Sequence, residues 1–178
     1  FLNHLNLTKM KKITFILFAL IAGTAFGQNS ATQTAAATIN AEIVSPITIT
    51  NLNGLDFGRL IGNSAGGIVT VAATETGSRT STNDDVLALT GNTPTAAKFN
   101  ITAAEEYTYS ISLTSSNELI ATDADPMAIT FTTNLDETGN NGIGSTAIAL
   151  YVGGALTVNG GQAEGDYTGE VSVTVTYE

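Results

Sequence analysis

The chain has no cysteine and no tryptophan, and its single histidine, His4, stands ahead of the first methionine, Met10. From Met10 onward it therefore has neither an imidazole nor a thiol. That removes Ser-His-Asp and Cys-His nucleophile systems, histidine general bases, and the His or Cys ligands of zinc, copper and haem sites. No disulfide can staple the fold, although an exported chain reaches a compartment that allows one. Basic residues are also scarce: Lys9, Lys11, Lys12, Arg59, Arg79 and Lys98 face 16 acids. A field of that sign repels phosphate backbones and anionic lipid, so no nucleic-acid partner is expected.

Apolar runs are short as well. The longest follows Met10-Lys11-Lys12 and spans residues 13–22, too short for a transmembrane helix, which needs about 20 apolar residues. A basic head, an apolar stretch and the small residues of Ala25-Phe26-Gly27 are the parts of a secretory signal, with cleavage expected between Gly27 and Gln28. No membrane span is expected after cleavage. No cysteine follows the run, so a lipid anchor of the lipoprotein kind is excluded. Residues 1–9 read as upstream sequence, 10–27 as the signal, 28–36 as a flexible N-terminus and 37–178 as one domain. What remains after the signal is roughly 150 residues, the usual size of a single domain with its own core. Lys9, Lys11 and Lys12 leave with the signal.

Beyond Ala36, no apolar repeat at 3.6-residue spacing is long enough for a substantial helix, and the pattern is strand after strand. The last strand is the cleanest. Tyr167, Gly169, Val171, Val173, Val175 and Tyr177 share one face, and Thr168, Glu170, Ser172, Thr174, Thr176 and Glu178 share the other. Strict alternation of this kind places one face on a core and one in water. Tyr107, Tyr109, Ile111 and Leu113 alternate likewise, as do Ala97, Phe99 and Ile101, and Met127, Ile129 and Phe131. Ile148, Leu150 and Val152 oppose Ala147, Ala149 and Tyr151, which suggests a strand covered on both faces. Gly153-Gly154 is expected to bend or bulge it before Leu156 and Val158. Shorter strands are expected at 68–71 and 86–89. Turns are expected at Asn53-Gly54, Gly66-Gly67, Asn92-Thr93-Pro94, Asn140-Asn141-Gly142 and Asn159-Gly160-Gly161. Many short strands without helices indicate an all-β, immunoglobulin-like β-sandwich.

One further alternating segment precedes Pro46: Ala35, Ala37, Ile39, Ala41 and Ile43 on one face, Thr38, Asn40 and Glu42 on the other. Proline cannot donate to a ladder, so Pro46 separates this segment from Ile47 and Ile49. A strand set apart in this way either pairs within its own sheet or fills the sheet of a neighbour by strand addition.

Residues 39–60, ending Leu55-Asp56-Phe57-Gly58-Arg59-Leu60, resemble the opening of spore-coat-U-type and archaic chaperone–usher pilin domains. There a donor strand precedes the first core strand and an L-x-F-G turn. Ile47 stands where those pilins often carry a cysteine. The tail, with Gly165 fourteenth from the end and Tyr177 penultimate, also resembles a pilin C-terminus. Across nearly the whole exported part, the chain resembles the bacterial domain-of-unknown-function 4402 family. The L-x-F-G turn, Gly77-Ser78-Arg79, Leu150-Tyr151-Val152-Gly153-Gly154 and the tail carry that resemblance. It implies a pilin-like fold at the cell surface and brings no established activity. Ala37, Ile39, Ala41 and Ile43 are the implied donor strand, and Val171, Val173, Val175 and Tyr177 the implied acceptor strand.

Candidate sites elsewhere have plainer readings. Asn83-Asp84-Asp85, Asp123 with Asp125, and Asp136-Glu137 carry hard oxygen ligands, but none follows the spacing of a calcium loop, so solvated turn acids are expected. Paired carboxylates can cleave glycosides, yet such enzymes usually also need an aromatic-rich sugar cleft, and this chain has no tryptophan and few long insertions. No catalytic residue, metal or cofactor is expected. Arg59 and Arg79 are read as local ion pairs against an acidic surface, the alternative being a partner contact. The five tyrosines suit core edges and cross-strand pairs better than a sugar platform. The expectation is a secreted structural or adhesive surface protein, extracellular after periplasmic transit. Its partners would be copies of itself or related surface subunits. The alternative is a self-contained binding module for glycan or protein.

Overall fold

The computed structural model describes residues 32–86 and 93–178. The segments expected to be upstream sequence and signal lie outside the described residues, as do positions 87–89 of the strand expected at 86–89. The chain divides into two units, Phe1–Glu42 and Ile43–Glu178. In the first, residues 32–42 contain no strand and are exposed throughout. The second holds ten strands among the described residues. They are β1 (Thr48–Asn53), β2 (Gly67–Val71), β3 (Arg79–Ser81), β4 (Ala97–Thr102), β5 (Thr108–Ser115), β6 (Glu118–Leu119), β7 (Met127–Thr133), β8 (Asn140–Asn141), β9 (Ile148–Val158) and β10 (Val171–Tyr177).

Every pairing is antiparallel, and β9 is the hub. Leu156 stands opposite both Val69 and Ile129, so β2 and β7 flank β9 on opposite edges. Val152 likewise stands opposite both Ala97 and Thr133, which puts β4 across from β7. It follows that β4 and β2 succeed one another along a single edge of β9. One layer therefore runs β1-β4-β9-β7, extended by the β2-β3 hairpin and by β6 beside β7. The other is the sheet β10-β5-β8. The two layers share a core, an arrangement consistent with a β-sandwich.

The core has two parts along β9. Val69, Val71, Met127, Ile129, Leu156 and Val158 pack with Phe57 and Val86 in one. Ala97, Phe99, Ile101, Tyr109, Ile111, Leu150 and Val152 form the other, which joins the two layers. Each fully buried Val, Leu or Ile contributes about 1.5–3 kcal/mol by leaving water, so the period-two pattern of these strands is what selects their faces.

Four expectations are corrected. Gly153-Gly154 does not bulge β9, whose register with β7 is constant from Gly153 through Leu156. The glycine is needed for close approach instead: a Cβ on Gly153 would press on the Val71 carbonyl and lie 2.6 Å from the Ala73 nitrogen, where the chain leaves β2. Val86 belongs to no strand. It closes a 3-10 turn, Asp84–Val86, through its N–H to the Asn83 carbonyl at 3.1 Å, and buries its side chain. Asn140-Asn141 is a short strand on β5 rather than a turn, followed by Gly142 donating to the Tyr107 carbonyl at 2.8 Å. The last strand starts at Val171, not Tyr167, because Thr168 exchanges two backbone hydrogen bonds of 2.9 Å with Ile120 and is held there.

Candidate strand-acceptor edge

β10 keeps the alternation of its sequence: Val171, Val173, Val175 and Tyr177 are half-buried, and Ser172, Thr174 and Thr176 are exposed. It pairs with β5 from Val171 opposite Ser115 to Tyr177 opposite Tyr109 without a shift. The Glu178 N–H continues this ladder to the Thr108 carbonyl at 3.1 Å. Hydrogen-bonded pairs recur every second residue, so residues 172, 174 and 176 exchange bonds with β5. The N–H and C=O groups of Val171, Val173, Val175 and Tyr177 then point from the opposite edge. Ile111 of β5 agrees with this parity, since its N–H goes away from β10 to the Glu137 carbonyl at 2.7 Å. No described strand pairs with the outer edge of β10. A row of unpaired donors and acceptors is a template for another strand.

Across from this edge lies β1, which pairs only with β4 among the described strands. Ile47 and Ile49 pack on the same core part as Val173, Val175 and Tyr177, and all of them are only half-buried. The seam between β10 and β1 is thus apolar and incompletely covered. Tyr177 spans one end of it. Its hydroxyl accepts a hydrogen bond from the Ala104 N–H at 2.7 Å and donates to the Ser45 carbonyl at 3.0 Å. Its ring meets Tyr107 edge-on, with centroids 6.0 Å apart.

Of the residues expected to form a donor strand, Ala37, Ile39, Ala41 and Ile43 lie in no strand and are exposed. Ile39 is 93% and Ile43 98% accessible. Two isoleucines left in water forgo about 1.5–3 kcal/mol each relative to burial.

Arg79 does not make the ion pair expected of it. Its guanidinium donates to the Phe57 carbonyl at 2.7 Å and approaches the Arg59 carbonyl at 3.4 Å. It thereby ties the Gly77-Ser78-Arg79 segment to the Leu55-Asp56-Phe57-Gly58 turn. That turn is closed by the Gly58 N–H on the Asp56 carboxylate at 2.7 Å, with Gly58 at φ 72°. Lys98 pairs with Glu75 at 3.6 Å and lies 5.4 Å from the centre of the Tyr151 ring. The phenol beside it is the larger cause of its raised pKa, Glu75 a lesser one. Asp123, Asp125, Asp136 and Glu137 are exposed loop residues. Among the described residues, no three His, Cys, Asp or Glu side chains group as metal ligands.

Two features escaped the sequence. The Tyr177 bridge was signalled by a penultimate tyrosine and by Pro46, but their proximity depends on the layering. A cleft of about 610 Å³ opens between β5 and β7, with Ile111, Leu113 and Phe131 at its base and Thr133, Asn117 and Glu137 around it. It depends on the divergence of two strand edges, which no local pattern records.

An antiparallel all-β domain with an open strand edge is the class these features define. The chain belongs to the DUF4402 family, a domain of unknown function, whose match spans residues 47–177. That match takes in β1 through β10 and starts after residues 37–43. No curated protein and no solved structure matches the chain. Among the described residues, no helix is long and apolar enough to cross a membrane.

Proposed function

We propose that this is a secreted, pilin-like structural or adhesive subunit of the cell surface that joins copies of itself by strand donation. Residues 37–43 of one subunit lie along β10 of another, with Ala37, Ile39, Ala41 and Ile43 as knobs. Val171, Val173, Val175 and Tyr177 line the receiving seam. The observation that carries this reading is the outer edge of β10: unpaired in its backbone and only half-covered in its side chains.

The strand order supports it. In an immunoglobulin-like sandwich one sheet runs A-B-E-D and the other C-F-G. Here β1-β4-β9-β7 corresponds to A-B-E-D and β5-β10 to C-F, and no described strand stands in the place of G beside β10. The resemblance to spore-coat-U and chaperone–usher pilins, in which a donated strand takes that place, points the same way. A head-to-tail interface of this kind generates an open chain of subunits wherever its rotation does not close a ring.

The test compares the exported protein with Ile39→Asp/Ile43→Asp by size exclusion and negative-stain microscopy. Rods or ladders from the parent and monomers from the variant are expected. A parent that stays monomeric, or a variant that assembles equally well, overturns the proposal. The second reading is a self-contained binding module, favoured by the β5–β7 cleft, whose volume is within the range of small-ligand sites. It predicts saturable binding of a glycan or protein by the monomer, abolished by Phe131→Asp.

A further inference from the structure

Tyr177 stands where the first ladder breaks. Thr48 of β1 lies opposite Thr102 of β4, and continuing that register sets Pro46 opposite Ala104. Pro46 has no N–H to give. What Pro46 fails to supply is a donor for the Ala104 carbonyl, which takes the Tyr107 N–H at 3.4 Å. The Ala104 N–H goes to the Tyr177 hydroxyl, and that hydroxyl gives its own proton to the Ser45 carbonyl. A side chain from β10, in the other layer, is therefore built into the end of the β1–β4 pair. It holds the residue from which the N-terminal segment departs. The ring is braced by Tyr107, so the hydroxyl sits on a fixed support.

Holding Ser45 at this point has a directional consequence. Ser45 lies at the Tyr177 end of β10, so a segment folding back from it along the same β10 would reach Val171 with residue 37 or thereabouts. Read in chain direction, that strand runs parallel to β10. Every observed pairing in the domain is antiparallel, and parallel pairing is the weaker per residue. The fold-back also needs a reversal at Val44-Ser45, where the residue before a proline is confined to extended conformations. A segment from a second copy carries neither restriction and is free to enter antiparallel.

We infer that Tyr177 is a positioning residue for strand donation: its hydroxyl pins Ser45, so that residues 37–43 are delivered to β10 of a second copy of this chain and not to its own. This inference rests on the strand-donation reading above. It adds a residue and a choice of partner that the reading leaves open.

The experiment uses the exported full-length protein and Tyr177→Phe, which keeps the ring and removes both hydrogen bonds. Assembly is read by size exclusion, and closure on the same chain by amide hydrogen exchange of residues 37–43 at a concentration too low for assembly. Tyr177→Phe is expected to raise the monomer fraction by about tenfold, the scale of one or two lost hydrogen bonds, and to protect residues 37–43 in the monomer. A synthetic peptide of residues 34–44 separates pinning from damage to the seam. On an Ile39→Asp/Ile43→Asp background, Tyr177→Phe is expected to lose less affinity for that peptide than it loses in assembly, because only assembly also depends on where Ser45 is held.

Unaltered assembly of Tyr177→Phe overturns the pinning role while leaving strand donation intact. Peptide binding weakened as much as assembly also overturns it, since Tyr177 would then only shape the groove. Protected residues 37–43 in the parent monomer overturn it as well. If Tyr177→Phe fails to fold, Pro46→Gly frees the same root with Tyr177 in place and should give the same shift. Loss of strand donation itself shows separately, as full assembly by Ile39→Asp/Ile43→Asp with Tyr177 untouched.

Discussion

β4 and β10 are written in the same code and end in different surroundings. Ala97, Phe99 and Ile101 alternate with polar residues, as Val171, Val173 and Val175 do, yet the first set is buried and the second only half-buried. The difference lies in neighbours. β4 has β1 on one edge, β9 on the other and the second layer across its face. Among the described strands β10 has β5 alone, and its core-facing side chains meet a seam closed on one side only. Alternation fixes which face of a strand is apolar; the number of strands beside it fixes how much of that face leaves water. A strand that is finished in its sequence and unfinished in its surroundings is what an incoming strand would complete.

The largest effect expected from this contrast is at the hub. Leu150 on β9 is 0% exposed between the layers, and Leu150→Ala should cost about 2–5 kcal/mol. Val173→Ala on β10 should cost about 1 kcal/mol in the monomer, since only part of two methyl groups leaves a packed site. Denaturant unfolding of both, on the monomeric Ile39→Asp/Ile43→Asp background, measures the ratio. Equal losses would mean that the β10 seam is as closed as the β4 layer. If residues 37–43 are donated to β10, the Val173 loss in assemblies should grow toward the hub value, because a donated strand would bury it. Next in size is Gly153→Ala, expected to cost about 1–3 kcal/mol by overpacking. The added Cβ would lie 2.6 Å from the Ala73 nitrogen, where β4 gives way to β2 along β9.

That handover shows where the sequence was legible and where it was not. The faces of β4, β5, β7 and β10 could be read directly, because period two depends only on the backbone of each strand. Gly153-Gly154 was also conspicuous, but a bend and a close approach of another chain segment ask for the same residue. Only the placement of β2 reveals the close approach. Arg79 was misread for a related reason. An arginine in an acidic chain suggests a carboxylate partner, and the backbone carbonyl of Phe57 is a competitor that composition does not display. For the candidate site, the alternation of both strands was visible, whereas the free edge of β10 and the bridge from Tyr177 to Ser45 depend on sheet order.

Arg79→Met tests the correction at intermediate scale. Removing a charged donor from the Phe57 carbonyl should cost about 1–2 kcal/mol. The loss should persist in high salt, because the partner is a carbonyl and not an exposed carboxylate. A loss that disappears in high salt would restore the ion-pair reading.

The smallest effect concerns Tyr109, where complete burial carries a penalty that β10 escapes. Tyr109 is 0% exposed, and its hydroxyl has no hydrogen-bond partner among the described residues. Tyr177, only half-buried, satisfies its own hydroxyl twice. A phenol with no partner gains nothing from its hydroxyl inside the core, so Tyr109→Phe should leave stability unchanged or raise it by up to about 1 kcal/mol. Burial also raises the Tyr109 pKa above its ordinary value of 10.0. With the folded value the higher, the unfolded chain releases this proton first as the medium turns alkaline. Stability due to the neutral phenol is therefore complete below pH 10 and declines as pH rises toward the folded value. Unfolding titrations from pH 8 to 11 should show a steeper alkaline decline for the parent than for Tyr109→Phe. Parallel curves would mean that water reaches the hydroxyl in the folded state, and that this part of the core is no drier than the open seam.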